Sequence, residues 1–217
     1  MNSYIESRLH MNTQDADASA LGAAIAAARA EATERGLAAP SPVVGGLLST
    51  LAASGAAAGT GTGAVAITPS AGVVGLHMLA GLPDKATVTC IDPDADRHAR
   101  AKTSFRDAGY SPSRARFLPA TPLDVLGRLA ADSYHLIYAD VEPVDMQATI
   151  DAVWPLLTRG GTLVLAQSLL DGTVADASRI DRDTIAARSA NDYADSFEGA
   201  VVTRLPLDSG LTLITRR

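Results

Sequence analysis

Apolar positions along this chain follow two rhythms that trade places at regular intervals. Over 15–35, Leu21, Ile25 and Ala28 recur at helical spacing, and Gly36 supplies a stop. Pro40 and Pro42 break the chain, and 43–53 reads as a second helix. The run 55–63, with Gly59, Gly61 and Gly63, reads as a flexible loop of small residues. Beyond it, short apolar runs predict strands over 65–68, 86–92, 114–118, 134–140 and 161–166. Between them, helical patterns cover 72–80, 94–108, 122–131 and 145–157. Such alternation implies right-handed βαβ units and a parallel sheet. The chain closes differently, since 199–205 and 210–215 are strand runs joined by a turn, an antiparallel hairpin.

The expected fold is therefore α/β, a doubly wound, mostly parallel, seven-stranded Rossmann-like sheet with a C-terminal antiparallel hairpin. An N-terminal helical segment over 1–39 precedes the main domain at 40–217, and the whole forms one globular unit.

Composition adjusts this picture in three places. Aromatics are only 4% of 217 residues, so Ala, Val and Leu must fill the core. The single cysteine, Cys90, excludes an internal disulfide and fits a reducing compartment; with no signal pattern in 1–17, a cytoplasmic location is expected. A net charge of −6 without a basic cluster argues against nucleic acid as a partner. No charged residue stands between Arg35 and Asp84, and 64–82 has the length of a membrane span. Pro69 and the glycines interrupt it, so a strand, a turn and a buried helix are expected there, with no membrane partner.

In a sheet of this kind the ligand lies at the carboxyl ends of the strands, where the winding reverses. Those ends carry Thr68, Pro69, Asp92, Pro93, Ala120, Thr121, Asp140, Glu142, Ala166 and Gln167. Asp92 ends the second strand, where a carboxylate can accept hydrogen bonds from both hydroxyls of an adenosine ribose. Asp94 is free to cap the helix that follows. A dinucleotide would need a glycine-rich cradle directly after the first strand, and the only residue of that pattern there is Gly72. S-adenosylmethionine carries no phosphate and needs no such cradle.

Several segments together resemble the class I S-adenosylmethionine-dependent O-methyltransferases of the caffeoyl-CoA and catechol type, in particular their actinobacterial branch. The segments are Pro42-Val43-Val44-Gly45-Gly46, Val88-Thr89-Cys90-Ile91-Asp92, Tyr138-Ala139-Asp140, Leu156-Leu157-Thr158-Arg159-Gly160-Gly161 and Leu205-Pro206-Leu207-Asp208-Ser209-Gly210. The resemblance implies S-adenosylmethionine as cofactor, a small hydroxylated acceptor and a homodimer. It implies cofactor contacts at Val44, Ala66, Thr68, Pro69, Gly72, Val74, Asp92, Pro93, Ala120, Thr121 and Asp140. The chain departs from the family at its metal site. Where the family has D-A-D-K this chain has Asp140-Val141-Glu142-Pro143, and where it has D-N this chain has Ala166-Gln167. A hard divalent ion needs several oxygen ligands, so no metal is expected.

With metal and lysine gone, deprotonation of the acceptor falls to a general base, for which Asp140, Glu142, His135 and His77 are candidates and Asp140 and Glu142 the preferred pair. His77 is expected to be partly exposed, His135 to open a strand, with an edge polar residue as its plainer reading, Asp145 to cap its helix, and Tyr138 and Trp154 to be core residues. The expected function is metal-independent O-methylation of a small molecule. The alternative is a protein that binds S-adenosylmethionine or S-adenosylhomocysteine and has lost its chemistry.

Overall fold

A computed structural model describes residues 16–57 and 63–217 of the chain. The reading of 1–15 and most of the expected glycine loop lie outside the described residues, while Gly63 opens the first strand. Two helices lead, α1 (Ala16–Glu34) and α2 (Pro42–Ala57). There follow β1 (Gly63–Ile67), α3 (Ala71–Gly81), β2 (Thr87–Ile91), α4 (Ala95–Asp107), β3 (Ala115–Leu118), a single turn α5 (Pro122–Val125) and β4 (Tyr134–Ala139). The chain continues through α6 (Met146–Val153), β5 (Leu157–Leu165), α7 (Arg182–Ser196), β6 (Ala200–Leu205) and β7 (Leu211–Arg216).

The strands form one sheet in the order β3-β2-β1-β4-β5-β7-β6. Its first five are parallel, and β7 runs antiparallel to both β5 and β6. Helices cover both faces, so the central strands are apolar throughout, and β1 is buried at every position. Their side chains still alternate. Ala64, Ala66, Leu136 and Tyr138 pack toward Leu48 of α2 and Leu76 of α3, while Val65, Ile67, Ile137 and Ala139 pack toward Met146 and Ile150 of α6 and Ala187 of α7.

With few aromatics, helices approach closely where glycines allow it. A Cβ on Gly81 would stand 2.0 Å from the Ser49 carbonyl oxygen, which belongs to the facing helix and cannot rotate away. Gly81→Ala is therefore expected to cost about 2 kcal/mol or more in a urea titration. A variant as stable as the parent would mean that α2 and α3 separate freely.

Four readings need correction. The expected helix over 122–131 is only α5 followed by a 3₁₀ turn at Leu126–Arg128. The one over 145–157 has 3₁₀ turns at Pro143–Asp145 and Trp154–Leu156 around α6, each with a proline at its first or second position. Asp145 makes no capping hydrogen bond. Finally, α7 was not anticipated, because its buried residues are Thr184, Ala187, Ala190, Asn191 and Ala194, too small and mixed to mark a face.

Asn191 ties this corner of the protein together. Its Nδ2 donates to the carbonyls of Ser168 (2.8 Å) and Ala187 (2.9 Å). Its Oδ1 accepts from Thr212 Oγ1 (2.8 Å) and Arg204 Nε (2.9 Å). The loop after β5, helix α7 and the closing hairpin thereby share one amide whose donors and acceptor are all used. No described helix is long and apolar enough to cross a membrane.

Candidate functional site

The chain runs outward from β1 to β3, then returns to place β4 on the other side of β1. The winding thus reverses between β1 and β4, whose ends carry Thr68 and Asp140. A cleft of about 500 Å³ opens there, lined among others by Thr68, Pro69, Asp92, Pro93, Asp140, Glu142 and Gln167. This is where an α/β sheet binds its ligand. A wider groove of about 830 Å³ runs between α1 and α4, but alanines dominate its α1 side and it lies away from the strand ends.

Asp92 is 3% exposed. Its Oδ1 accepts the Asp94 N–H at 2.6 Å, and Arg97 Nη1 reaches Oδ2 at 3.0 Å and Oδ1 at 3.3 Å. Capping of α4 is done by Asp94, which accepts from the backbone N–H groups of Asp96 and Arg97. Asp92 is thus released from capping but held by Arg97, a partner that the sequence reading missed. Its signal was a cation in the first helical turn, where the helix dipole disfavours one unless a carboxylate compensates.

Asp140 follows β4, and its N–H donates to the Ile67 carbonyl at 2.8 Å. Its Oδ1 accepts from Gln167 Nε2 at 2.7 Å. Burial raises its pKa, the neighbouring Glu142 charge adds to the rise, and the Gln167 hydrogen bond opposes it. Gln167 sits at φ +53°, a left-handed conformation that costs a non-glycine residue about 1 kcal/mol. Strain of this kind concentrates at functional sites, and here it turns the amide toward the carboxylate. Glu142 is exposed at the rim of the cleft.

Other expected positions lie elsewhere. Val44, Ala66 and Val74 are fully buried in the core, on the sheet face covered by α2 and α3, and do not line the cleft. Gly72 serves helix packing, since a Cβ there would meet Ser104 Oγ at 3.3 Å and the Ala28 methyl at 3.5 Å. Ala120 and Thr121 stand beside the cleft without lining it, and Pro122 takes that place.

Neither histidine is available as a base. Burial, with Arg29 adding to the effect, lowers the His77 pKa to about 4, and its ring packs on Gly45, where a Cβ would stand 2.3 Å from Nε2. His135 lies on a central strand rather than an edge, buried, with Nε2 3.0 Å from the Ala52 carbonyl. Burial pushes the Cys90 thiol up to about 12, leaving no thiolate chemistry. Asp140 and Glu142 remain. Among the described residues no group of three His, Cys, Asp or Glu side chains is arranged to hold a metal ion.

Comparison with known proteins converges on one family. A sequence profile described as O-methyltransferase matches residues 63–217. A curated Mycolicibacterium smegmatis protein, provisionally named an O-methyltransferase, is 35% identical over 194 residues, covering 89% of this chain and 90% of its own. A crystallised Corynebacterium glutamicum protein is 53% identical, with a TM-score of 0.89 over 99% of this chain and 96% of that one. The O-methyltransferase TomG of Streptomyces achromogenes, involved in tomaymycin synthesis and crystallised with S-adenosylmethionine, shares the fold at 19% identity. Its TM-score is 0.78 over 89% of each chain.

Proposed function

Because the chain belongs to the O-methyltransferase family, we propose that it moves the methyl group of S-adenosylmethionine to a hydroxyl of a small molecule, without a metal ion. The observation that carries this reading is the pair of carboxylates, Asp92 and Asp140, at strand ends bordering one cleft beside the winding reversal.

The residues present fit the cofactor. A cleft of about 500 Å³ is within the range of small-molecule sites. Asp92, Asp140 and Glu142 suit a sulfonium cation, and the loop after β1 is built against diphosphate. There the Ser70 N–H is taken by Thr68 Oγ1 at 3.1 Å, and Gly72 is used in helix packing. Asp92 accepts the ribose hydroxyls, sharing its carboxylate with Arg97, since its two oxygens offer about four acceptor sites. When bound there, S-adenosylmethionine would supply an electrophilic methyl group for the acceptor oxygen, with a neutral thioether as the leaving group. Asp140 takes the hydroxyl proton, and its burial beside Glu142 strengthens it as a base. Gln167 fixes the orientation of that carboxylate. Alignment of acceptor oxygen and methyl group supplies most of the acceleration.

The reading includes a cytoplasmic homodimer, as the resemblance implies, and a single domain in which 1–39 supports 40–217. A second reading, a binding protein without turnover, is favoured by one observation: Ala166 stands where the family carries a carboxylate ligand of its metal site.

Thermal shift with S-adenosylmethionine, S-adenosylhomocysteine, NAD and Mg²⁺ tests the first reading. Either sulfur ligand at about a hundred times its Kd is expected to add about 3 kcal/mol of apparent stability. NAD and Mg²⁺ are expected to leave it unchanged. A shift with NAD and none with the sulfur ligands would remove the proposal, and sub-millimolar Mg²⁺ binding would remove its metal-free part. Release of S-adenosylhomocysteine with a hydroxyl acceptor separates enzyme from binder.

A further inference from the structure

Beside the main cleft, and sharing Ala38, Asp140 and Gln167 with it, lies a smaller chamber of about 150 Å³. Its remaining wall comes from Pro40, Tyr138, Asp208, Ser209 and their neighbours. We propose that this chamber receives the methyl acceptor and selects a small hydroxylated molecule carrying a protonated amine. The inference rests on the methyltransferase reading and adds the chemical class of the acceptor.

Position comes first. A molecule in the chamber meets the main cleft at Asp140, so a hydroxyl placed there faces both the base and the cofactor side. Volume limits the guest, because a cavity of about 150 Å³ takes one benzene-sized group. A bulky thioester-linked acceptor would have to keep most of its mass outside.

Tyr138 provides the independent sign of a ligand. Its side chain is 3% exposed and faces the chamber, yet its hydroxyl makes no hydrogen bond among the described residues. Phenol hydroxyls of buried tyrosines normally find a partner, and here the chamber is the open side from which one can come. A hydroxyl or ammonium group of a guest would meet it.

Charge decides between guests. Asp140 and Asp208 line the chamber, and no lysine or arginine does. The nearby cation is Arg29, close enough to Asp208 to be influenced by it; its Nη1 is bound to the Pro40 carbonyl, its buried Nη2 has no hydrogen-bond partner among the described residues, and it stays outside the lining. Two carboxylates against one guanidinium leave a net negative chamber. Asp208 Oδ2 accepts the Ser41 N–H at 2.9 Å, which leaves Oδ1 for a guest. With Asp140 engaged by the reacting hydroxyl, Asp208 and Tyr138 hold the ammonium, and a carboxylate or phosphate guest is repelled.

The test is calorimetry on protein saturated with S-adenosylhomocysteine, using 4-hydroxybenzylamine and 4-hydroxybenzoate as probes of equal ring and hydroxyl. The amine is expected to bind about tenfold more tightly than the carboxylate. Asp208→Asn should weaken the amine about threefold to fivefold while leaving S-adenosylhomocysteine affinity unchanged. That substitution keeps an acceptor for the Ser41 N–H and suits the positive φ of 51° at this position, so the hairpin is preserved. Tyr138→Phe should also weaken the amine. Equal affinities, no binding of either probe, or an Asp208→Asn variant that binds the amine like the parent would overturn the assignment. Failure of S-adenosylhomocysteine itself to bind the parent protein would instead sink the methyltransferase reading and this pocket with it.

Discussion

Asp92→Ala is expected to lower affinity for S-adenosylhomocysteine by about two to three orders of magnitude, close to loss of binding in a calorimetric titration. The carboxylate is nearly inaccessible to bulk water and offers charge-assisted hydrogen bonds, each worth about 1.5–3 kcal/mol where a neutral bond gives about 1. Two ribose hydroxyls lost together make up the effect. Removing Asp92 also strips Arg97 of its main partner, but that guanidinium is 34% exposed and keeps Asp94 at 3.4 Å, so the fold should survive. A variant with parental affinity would show that adenosine lies elsewhere. Arg97→Ala serves as a control, because it frees the carboxylate without removing it.

Asp140→Asn should separate binding from turnover. S-adenosylhomocysteine affinity is expected to stay within about threefold of the parent, while kcat falls about a hundredfold to ten-thousandfold, the usual value of a general base. The parent's rate should decline on acidification at a pH above that of an ordinary aspartate, because the folded protein holds the Asp140 proton more tightly. The same shift affects stability. Between the ordinary carboxylate pKa and the raised one, the folded state binds more protons than the unfolded chain, so stability falls as pH rises through that window. The carboxylate thus weakens the fold at neutral pH, and asparagine removes that cost. Urea midpoints should show Asp140→Asn more stable by about 1 kcal/mol near pH 7, with the gain fading toward about pH 4. Full activity in this variant would end the base assignment; equal stability at both pH values would contradict the burial argument.

The sequence made the parallel core legible because its strands are nearly pure apolar runs, such as Ala64–Ile67 and Leu136–Ala139, each ended by a polar residue. The hairpin was legible from two apolar runs around Pro206 and Gly210. It was silent where residue size carried the information. Helix α7 buries alanines and Asn191, and the Gly160-Gly161 pair, which suggests a turn, lies inside β5, where the ladder to β4 shifts register. At the site, Asp92 and Asp140 could be named because strand-end carboxylates have a physical purpose there. Val44, Ala66 and Val74 came with the resemblance alone: Val44 of α2 and Val74 of α3 pack into the core, and the pleat turns Ala66 of β1 toward those two helices. Arg97 lies five residues from Asp92 and its local signal, a cation in the first helical turn, was there to be used. Tyr138 and Asp208 come together only where distant segments meet, which no local pattern records.

The Asn191 hydrogen bonds have a mechanical consequence for the acceptor side. Ser168 beside Gln167, and Thr212 beyond Asp208, are bridged through one side chain, so the two walls they carry cannot drift apart independently. The opposite border, 36–40, is held differently, by the Ser70 hydroxyl on the Ala38 carbonyl and by Arg29 on that of Pro40. That border is joined to the hairpin through the Ser41 N–H on Asp208. If the chamber takes an acceptor as proposed, the hairpin wall should act as the fixed gauge of its size, and any extra room would have to come from the short strap at 36–40.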